Sequence, residues 1–305
     1  MITGESTLIK KVLKYRDYYL LLLPAIALFI LFRYIPMAGI VIAFKKYNLV
    51  DGLFGSPSAG FMYFERLFNS PQFYRVLKNT IVISVLKVLI GFPGPIIFAL
   101  MLNEIAQRRP KKVFQTISYL PHFVSWVVVG GLARDVLSQR GVINFIGGLF
   151  GMEPVIYLQQ EELFVPILIF SMIWKNIGWG SIIYLAAIAS IDPQLYEAAA
   201  LDGAGRIQRI RYVTLPSIIH VIVILFLLRI GDILEAGFDQ VFNLYNPMVY
   251  SVADIIDTYV YRVGIADFQY SYAAAVDLFK NVVGLILLLI VNHVTKRLGS
   301  DATVV

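Results

Sequence analysis

Apolar residues run along the chain in six long blocks, and the polar stretches between them differ widely in length. A helix rising 1.5 Å per residue needs roughly 20 residues to cross a hydrocarbon layer about 30 Å thick. Windows of that size predict membrane-spanning helices over Tyr18–Phe44, Phe73–Ile105, Val113–Leu137, Leu163–Ile191, Ser217–Leu234 and Leu278–Val294. Pro24, Pro36, Pro93, Pro95, Pro121 and Pro166 lie inside these spans. Each proline frees a carbonyl that neighbouring helices or water must satisfy, so kinks are expected there. The architecture so predicted is an all-α integral membrane protein of six transmembrane helices. No inverted internal repeat of the kind that marks many secondary transporters is visible.

Composition agrees: of 305 residues, 58% are hydrophobic and 15% charged, more oil than a soluble core requires. There are no cysteines, which excludes disulfides, thiolate metal sites and cysteine nucleophiles, and three histidines leave little for metal chemistry. The net charge of +6 comes from short basic clusters beside the spans, so it reads as a topology signal and not as a nucleic-acid surface. With both termini in the cytoplasm, the inner side carries Lys10, Lys11, Lys14, Arg16, Arg108, Arg109, Lys111, Lys112, Arg206, Arg209, Arg211, Lys296 and Arg297, against Lys45, Lys46, Arg66, Arg140 and Arg262 outside. That excess predicts N-in and C-in. The basic start resembles a signal peptide, but the apolar run passes Arg33 to Phe44 without a small-residue cleavage site. This predicts an uncleaved first span in a multi-pass protein of the cytoplasmic membrane. The outer segments 45–72, 138–162 and 235–277 are long and rich in Tyr, Phe and acids, and have room to receive a partner; Asp254 and Asp257 read there as a solvated or docking face. The chain divides into an N-terminal segment with the first span and outer loop, 1–72; five further spans, 73–297; and a tail, 298–305.

One polar island, "DPQLYEAAALDGAGRIQRIRYVTLP" from Asp192 to Pro216, interrupts the oil on the inner side. Asp192 before Pro193 is an N-cap with proline in the first turn, and "QLYEAAALD" continues with strong helix formers. Gly203-Ala204-Gly205 stops the helix, since glycine takes the positive φ of a C-terminal cap. "RIQRIRYV" restarts it before Leu215-Pro216 opens the fifth span. Ala198, Ala199 and Ala200 leave the backbone thinly covered for close approach by another protein, and Glu197 and Asp202 offer charges to a cationic partner. The same residues equally suit an interfacial helix lying on lipid headgroups.

The spacing of Glu197-Ala198-Ala199, Asp202-Gly203-Ala204 and Leu215-Pro216 resembles the EAA loop of ABC importer permeases. Ile210, Val213 and His220 depart from the residues most frequent there. "FRYIPMAGIVIAFKKYN", "SYLPHFVSW", "GFDQVFNLYNPMVY", "DIIDTYVYRVG" and "LFKNVVGLILLLIVN" extend the likeness over most of the chain, to the polysaccharide-type permeases of the carbohydrate-uptake importers, related to the maltose permease. Asp277 stands where glycine is usual. The resemblance implies the type I importer (MetI-like) fold and a coupling helix seated on a separate ATPase, with Glu197 meeting a basic residue there. It also implies a second homologous permease subunit, two ATPase subunits that use the ATP and Mg, and an extracellular or periplasmic solute-binding protein that delivers an oligosaccharide. This chain has no G-x-x-x-x-G-K-[ST] phosphate loop, so neither a bound cofactor nor catalysis of its own is expected.

For the sugar, Met172, Asn176 and Trp179 follow i, i+4, i+7 spacing in the fourth span with Lys175 alongside, a polar and aromatic stripe halfway through the membrane. By resemblance these four match ligand-contacting positions of the maltose permease. A charge at the bilayer centre costs about 2.5–3.5 kcal/mol on insertion scales, so Lys175, Arg229 and Asp232 must face a cavity, a partner helix or one another. Arg229 and Asp232 have the i, i+3 spacing of an internal pair; the sharper expectation is that Lys175 and Arg229 hold carboxylates of an acidic oligosaccharide. The same three charges also motivate an alternative, an ion-gradient-driven secondary transporter or channel. An intramembrane enzyme finds no H-E-x-x-H, serine-centred or paired-aspartate motif to support it.

Overall fold

The structure is a computed structural model that describes residues 14–231 and 233–297, with side chains as far as His293. Lys10, Lys11, Asp232, the tail 298–305 and the side chains of Lys296 and Arg297 therefore lie outside the described residues. Those described are helical apart from turns and loops, and their one β feature is an antiparallel bridge between Lys45 and Ser58. Among the described residues, five helices are long and apolar enough to cross a membrane: Arg16–Phe44, Pro71–Asn103, Glu161–Ala189, Arg206–Gly231 and Tyr270–His293. A sixth crossing is the pair Arg108–Phe123 and Trp126–Val136 taken together.

The chain separates into two compact units, Met1–Asn69 with Val263–Leu278, and Ser70–Arg262 with Phe279–Val305. In that first unit, span 1 is α-helical over Arg16–Phe29, widens to a π turn over Ile30–Tyr34 ahead of Pro36 and tightens to 3-10 over Ala38–Phe44. Nothing in Arg16–Phe29 is buried. The loop that follows is fastened to the start of the last helix: the Tyr47 N–H donates to Ser271 Oγ at 3.0 Å, and the Tyr47 and Tyr270 rings meet edge-on at 5.8 Å.

The second unit is organised around span 4, Glu161–Ala189, which is uninterrupted through Pro166. Span 2 begins on a Ser70 cap that accepts from the Phe73 N–H at 3.3 Å, then restarts at Pro93 after Gly91 and runs to Asn103. Small residues let its second half approach span 4: a side chain added at Gly180 would stand 3.0 Å from Pro95 Cγ. Close approach of this kind holds helices together where lipid is as apolar as their side chains. Ala99, Tyr184, Ile188 and Ile218 form one buried cluster; Ile83, Phe164, Leu168, Leu244 and Ile255 belong to another.

Three boundaries differ from the sequence expectation. Span 3 is not one kinked helix over Val113–Leu137; it breaks after Phe123 and turns by 101° into Trp126–Val136. Pro121 lies in a 3-10 turn at the break, and Ser125 caps the second piece, its Oγ accepting from the Val128 N–H at 3.4 Å. Span 5 does not begin at Ser217 after a stop; its helix is continuous from Arg206, widening to a π turn over Ile210–Thr214 just ahead of Pro216. A wide turn there adjusts the ladder where the proline can supply no donor. The last helix starts at Tyr270 instead of Leu278.

Candidate functional site

Two places carry the residues singled out by sequence. The first is the polar island. Asp192 Oδ1 accepts from the Gln194 N–H at 2.9 Å and starts the helix Pro193–Leu201. At its end Gly203 has φ +79°, the Gly203 N–H donates to the Ala200 carbonyl at 3.1 Å, and the Ala204 N–H donates to the Ala199 carbonyl at 2.9 Å. These two bonds make the Schellman ending that a left-handed glycine permits. Glu197, Ala198 and Asp202 are exposed, with Ala199 and Ala204 half-buried. The helix has no buried residue, so its outward face is open. Its inward contact has no signature in the sequence: the Tyr196 hydroxyl and Thr214 Oγ1 lie 2.9 Å apart, and Thr214 is 1% exposed. Thr214 sits directly before Leu215 and Pro216, so the helix is bonded to the lower part of span 5, at the end of its π turn.

The second place is a cavity of about 430 Å³ between spans 2, 4 and 5, whose walls include Lys87, Phe92, Met172, Asn176, Trp179 and Arg229. Of the expected stripe, Met172, Asn176 and Trp179 face it, and Arg229 stands on its wall. Trp179 is stacked flat on His122, 4.7 Å between ring centres and 2° between planes, with Phe123 edge-on at 5.4 Å. Asn176 Nδ2 donates to the Met172 carbonyl at 3.0 Å, which leaves Asn176 Oδ1 to accept from His122 Nδ1–H at 3.2 Å.

Lys175 is not among the cavity's lining residues. Its Nζ donates to the carbonyls of Pro121 at 3.2 Å, His122 at 2.6 Å and Val124 at 2.6 Å, and it lies 5.6 Å from the centre of the Trp126 ring. An ammonium has three donors, and all three serve carbonyls at the break in span 3. The expectation that Lys175 holds a substrate carboxylate is therefore replaced by a structural role. Asp232 is outside the described residues, and so is the expected Arg229–Asp232 pair.

Sequence reading passes over Lys87. It is 3% exposed, and its Nζ donates to the Ala236 carbonyl at 2.6 Å and to Gln240 Oε1. A basic residue inside a strongly apolar span is the available signal. Its acceptors lie 149 and 153 residues further on, where no local pattern points to them.

The acids expected on an open surface are also placed differently. Asp254 is 3% exposed and pairs with Arg262, while Thr258 Oγ1 donates to it at 2.9 Å. Asp257 pairs with Lys280. Burial works against the Arg262 charge, but the Asp254 hydrogen bond and charge overcome it and hold the guanidinium above its ordinary value. Burial first, with the neighbouring Tyr250, pushes the Tyr245 phenol up to about 12. Both acids are taken up by internal ion pairs, so they form no free docking face.

Residues 91–300 match the family of binding-protein-dependent transport system inner membrane components. The chain belongs to this family. The permease is 47% identical over 298 residues to the polygalacturonan/rhamnogalacturonan transport system permease protein YteP of Bacillus subtilis (strain 168), covering 97% of this chain and 93% of that one. Its fold matches the crystal structure of a bacterial ABC transporter involved in the import of the acidic polysaccharide alginate, with TM-score 0.88 and 44% identity over 95% of this chain and 99% of that one. A bacterial alginate ABC transporter in complex with an alginate pentasaccharide-bound periplasmic protein matches with TM-score 0.87 and 45% identity over 95% and 97%. The permease is thus a multi-pass membrane component with the all-helical fold of ABC importer permeases.

Proposed function

We propose that the permease forms part of the path by which an ATP-driven importer moves uronate-containing oligosaccharides into the cell. A solute-binding protein delivers the sugar from outside. A second, related permease completes the path, and two separate ATPase subunits bind the ATP and Mg and dock against the Pro193–Leu201 helix. Glu197, Ala198, Ala199, Asp202, Gly203 and Ala204 form the docking face and its hinge, and Leu215 and Pro216 lie in the element that moves, directly after its π turn. Met172, Asn176, Trp179 and Arg229 line the route of the sugar. The substrate class rests on likeness to transporters of polygalacturonan, rhamnogalacturonan and alginate.

The observation that carries the coupling reading is the Tyr196–Thr214 bond. A helix with an open outward face is attached at Thr214, in the π turn of the lower part of span 5, which runs up to Arg229 in the cavity wall. A nucleotide-driven change works only if it stabilises one state of the permease over the other, and a short capped helix bonded to a span can convey that difference. An ion-driven carrier loses a main support, since Lys175 is fully occupied by backbone carbonyls.

The test is to purify the permease with its native partners, identify them by mass spectrometry and measure ATP-dependent sugar uptake in proteoliposomes. Gly203→Pro removes both the positive φ and the donor of the Schellman ending. It is expected to lower uptake per ATP hydrolysed by about tenfold or more, a loss of roughly 1.4 kcal/mol of coupling. Normal uptake by an assembled variant would count against the coupling assignment.

A further inference from the structure

Lys87 is a basic group held at membrane depth by neutral acceptors. The Ala236 carbonyl and Gln240 Oε1 take two of the three donors of its ammonium. Gln240 is itself fixed, its Nε2 donating to the Leu168 carbonyl at 2.6 Å and to Ser171 Oγ at 2.9 Å. Among the described residues no carboxylate pairs with Lys87. An ionisable group kept inside a membrane against its desolvation marks a functional site by default.

Arg229 lines the same cavity, is exposed, and has no ion pair among the described residues. The described lining includes these two basic residues and no acid, while Phe92, Trp179 and Tyr184 supply aromatic rings. A guanidinium offers a planar fork for both oxygens of a carboxylate, and an ammonium adds a point charge with its remaining donor. Aromatic rings suit the apolar faces of sugars.

We propose that Lys87 and Arg229 together form a carboxylate subsite that receives a uronate residue of the oligosaccharide in transit. The subsite rests on the importer reading above and adds to it the residues that read the charge. Lys175 takes no part, because its donors are engaged at the break in span 3.

The test uses the whole complex in proteoliposomes, with trigalacturonate as the probe and its methyl ester as the uncharged counterpart. Co-purification of the partner subunits checks assembly of each variant. Lys87→Gln and Arg229→Gln are each expected to lower trigalacturonate uptake by about tenfold or more, the scale of a lost charge-assisted bond. Lys87→Arg, which keeps the charge, is expected to stay within about threefold of the unaltered complex. Uptake of the ester should fall far less than uptake of the acid; delivery by the binding protein cancels in each variant-to-unaltered ratio. If the ester is not delivered, the comparison of Lys87→Gln with Lys87→Arg on the acid decides. Equal losses for acid and ester, no loss for the acid, or failure of Lys87→Arg alongside Lys87→Gln would overturn the subsite. An unaltered complex that imports neutral sugars but not trigalacturonate would also overturn it while leaving the importer reading intact. One that hydrolyses ATP but imports no sugar would overturn the importer reading itself.

Discussion

Lys175 and Lys87 are both buried lysines inside apolar spans, yet their surroundings use them in opposite ways. Around Lys175, span 4 meets the break in span 3, and three carbonyls consume the whole ammonium. Around Lys87, span 2 meets the segment after span 5, two acceptors are engaged, and the side chain borders open space. The first region uses a charge to mend a helix that has lost its own hydrogen bonds. The second keeps part of a charge available. Both are lysines inside apolar spans, so residue type and setting do not separate them; the count of satisfied donors does.

The comparison can be broken most severely at Gly178, one turn from Lys175. A Cβ there would stand 2.2 Å from the Ser118 carbonyl oxygen, a backbone atom that cannot step aside cheaply. Gly178→Ala should force span 4 away from the first half of span 3 and cost about 3 kcal/mol or more. The expected readout is loss of co-purified complex. Lys175→Met comes next: it takes the lysine donor from the His122 and Val124 carbonyls, at about 1–3 kcal/mol for each one that water cannot reach, while the Pro121 carbonyl keeps the Val124 N–H at 3.2 Å. The midpoint of unfolding in denaturing detergent should fall clearly, and Lys175→Arg should recover only part of it, because a planar fork does not fit three converging carbonyls. A midpoint equal to that of the unaltered protein would remove the structural role given to Lys175.

Gly237→Ala gives the smallest effect and sharpens the contrast. Gly237 has φ +88°, and a Cβ would lie 3.0 Å from Lys87 Nζ. Strain of roughly 1–2 kcal/mol is expected from the left-handed backbone alone. The flexible lysine should move aside, so acid uptake should fall more than the unfolding midpoint does. An unchanged uptake would separate the position of Lys87 from its role.

The helices are legible in the sequence because lipid demands long apolar runs with internally paired backbones, and that demand leaves a plain trace in hydropathy. The island is legible too, because Asp192, Pro193 and Gly203 act through local backbone geometry that sequence encodes directly. The break in span 3 is harder to read, although Ser125 ahead of Trp126 is an N-cap signal beside Pro121. Helical spacing sets the face of span 4 that Met172, Asn176 and Trp179 share, but it does not settle Lys175. That residue lies one position from Asn176, about 100° around the helix, and the length of a lysine lets it reach a different neighbour. Asp254 looks like a surface acid because its partner Arg262 is eight residues away and the burial that joins them comes from other segments.

Span 5 continues without interruption from Arg206 to Gly231. Over the 23 steps from Arg206 to Arg229 such a rod is about 35 Å long. Pivoted at its lower end, a swing of about 5° would sweep the guanidinium through roughly 3 Å, the length of one hydrogen bond. In the proposed importer, a small tilt of this one element would then be enough to make or release the contact proposed between Arg229 and a carboxylate.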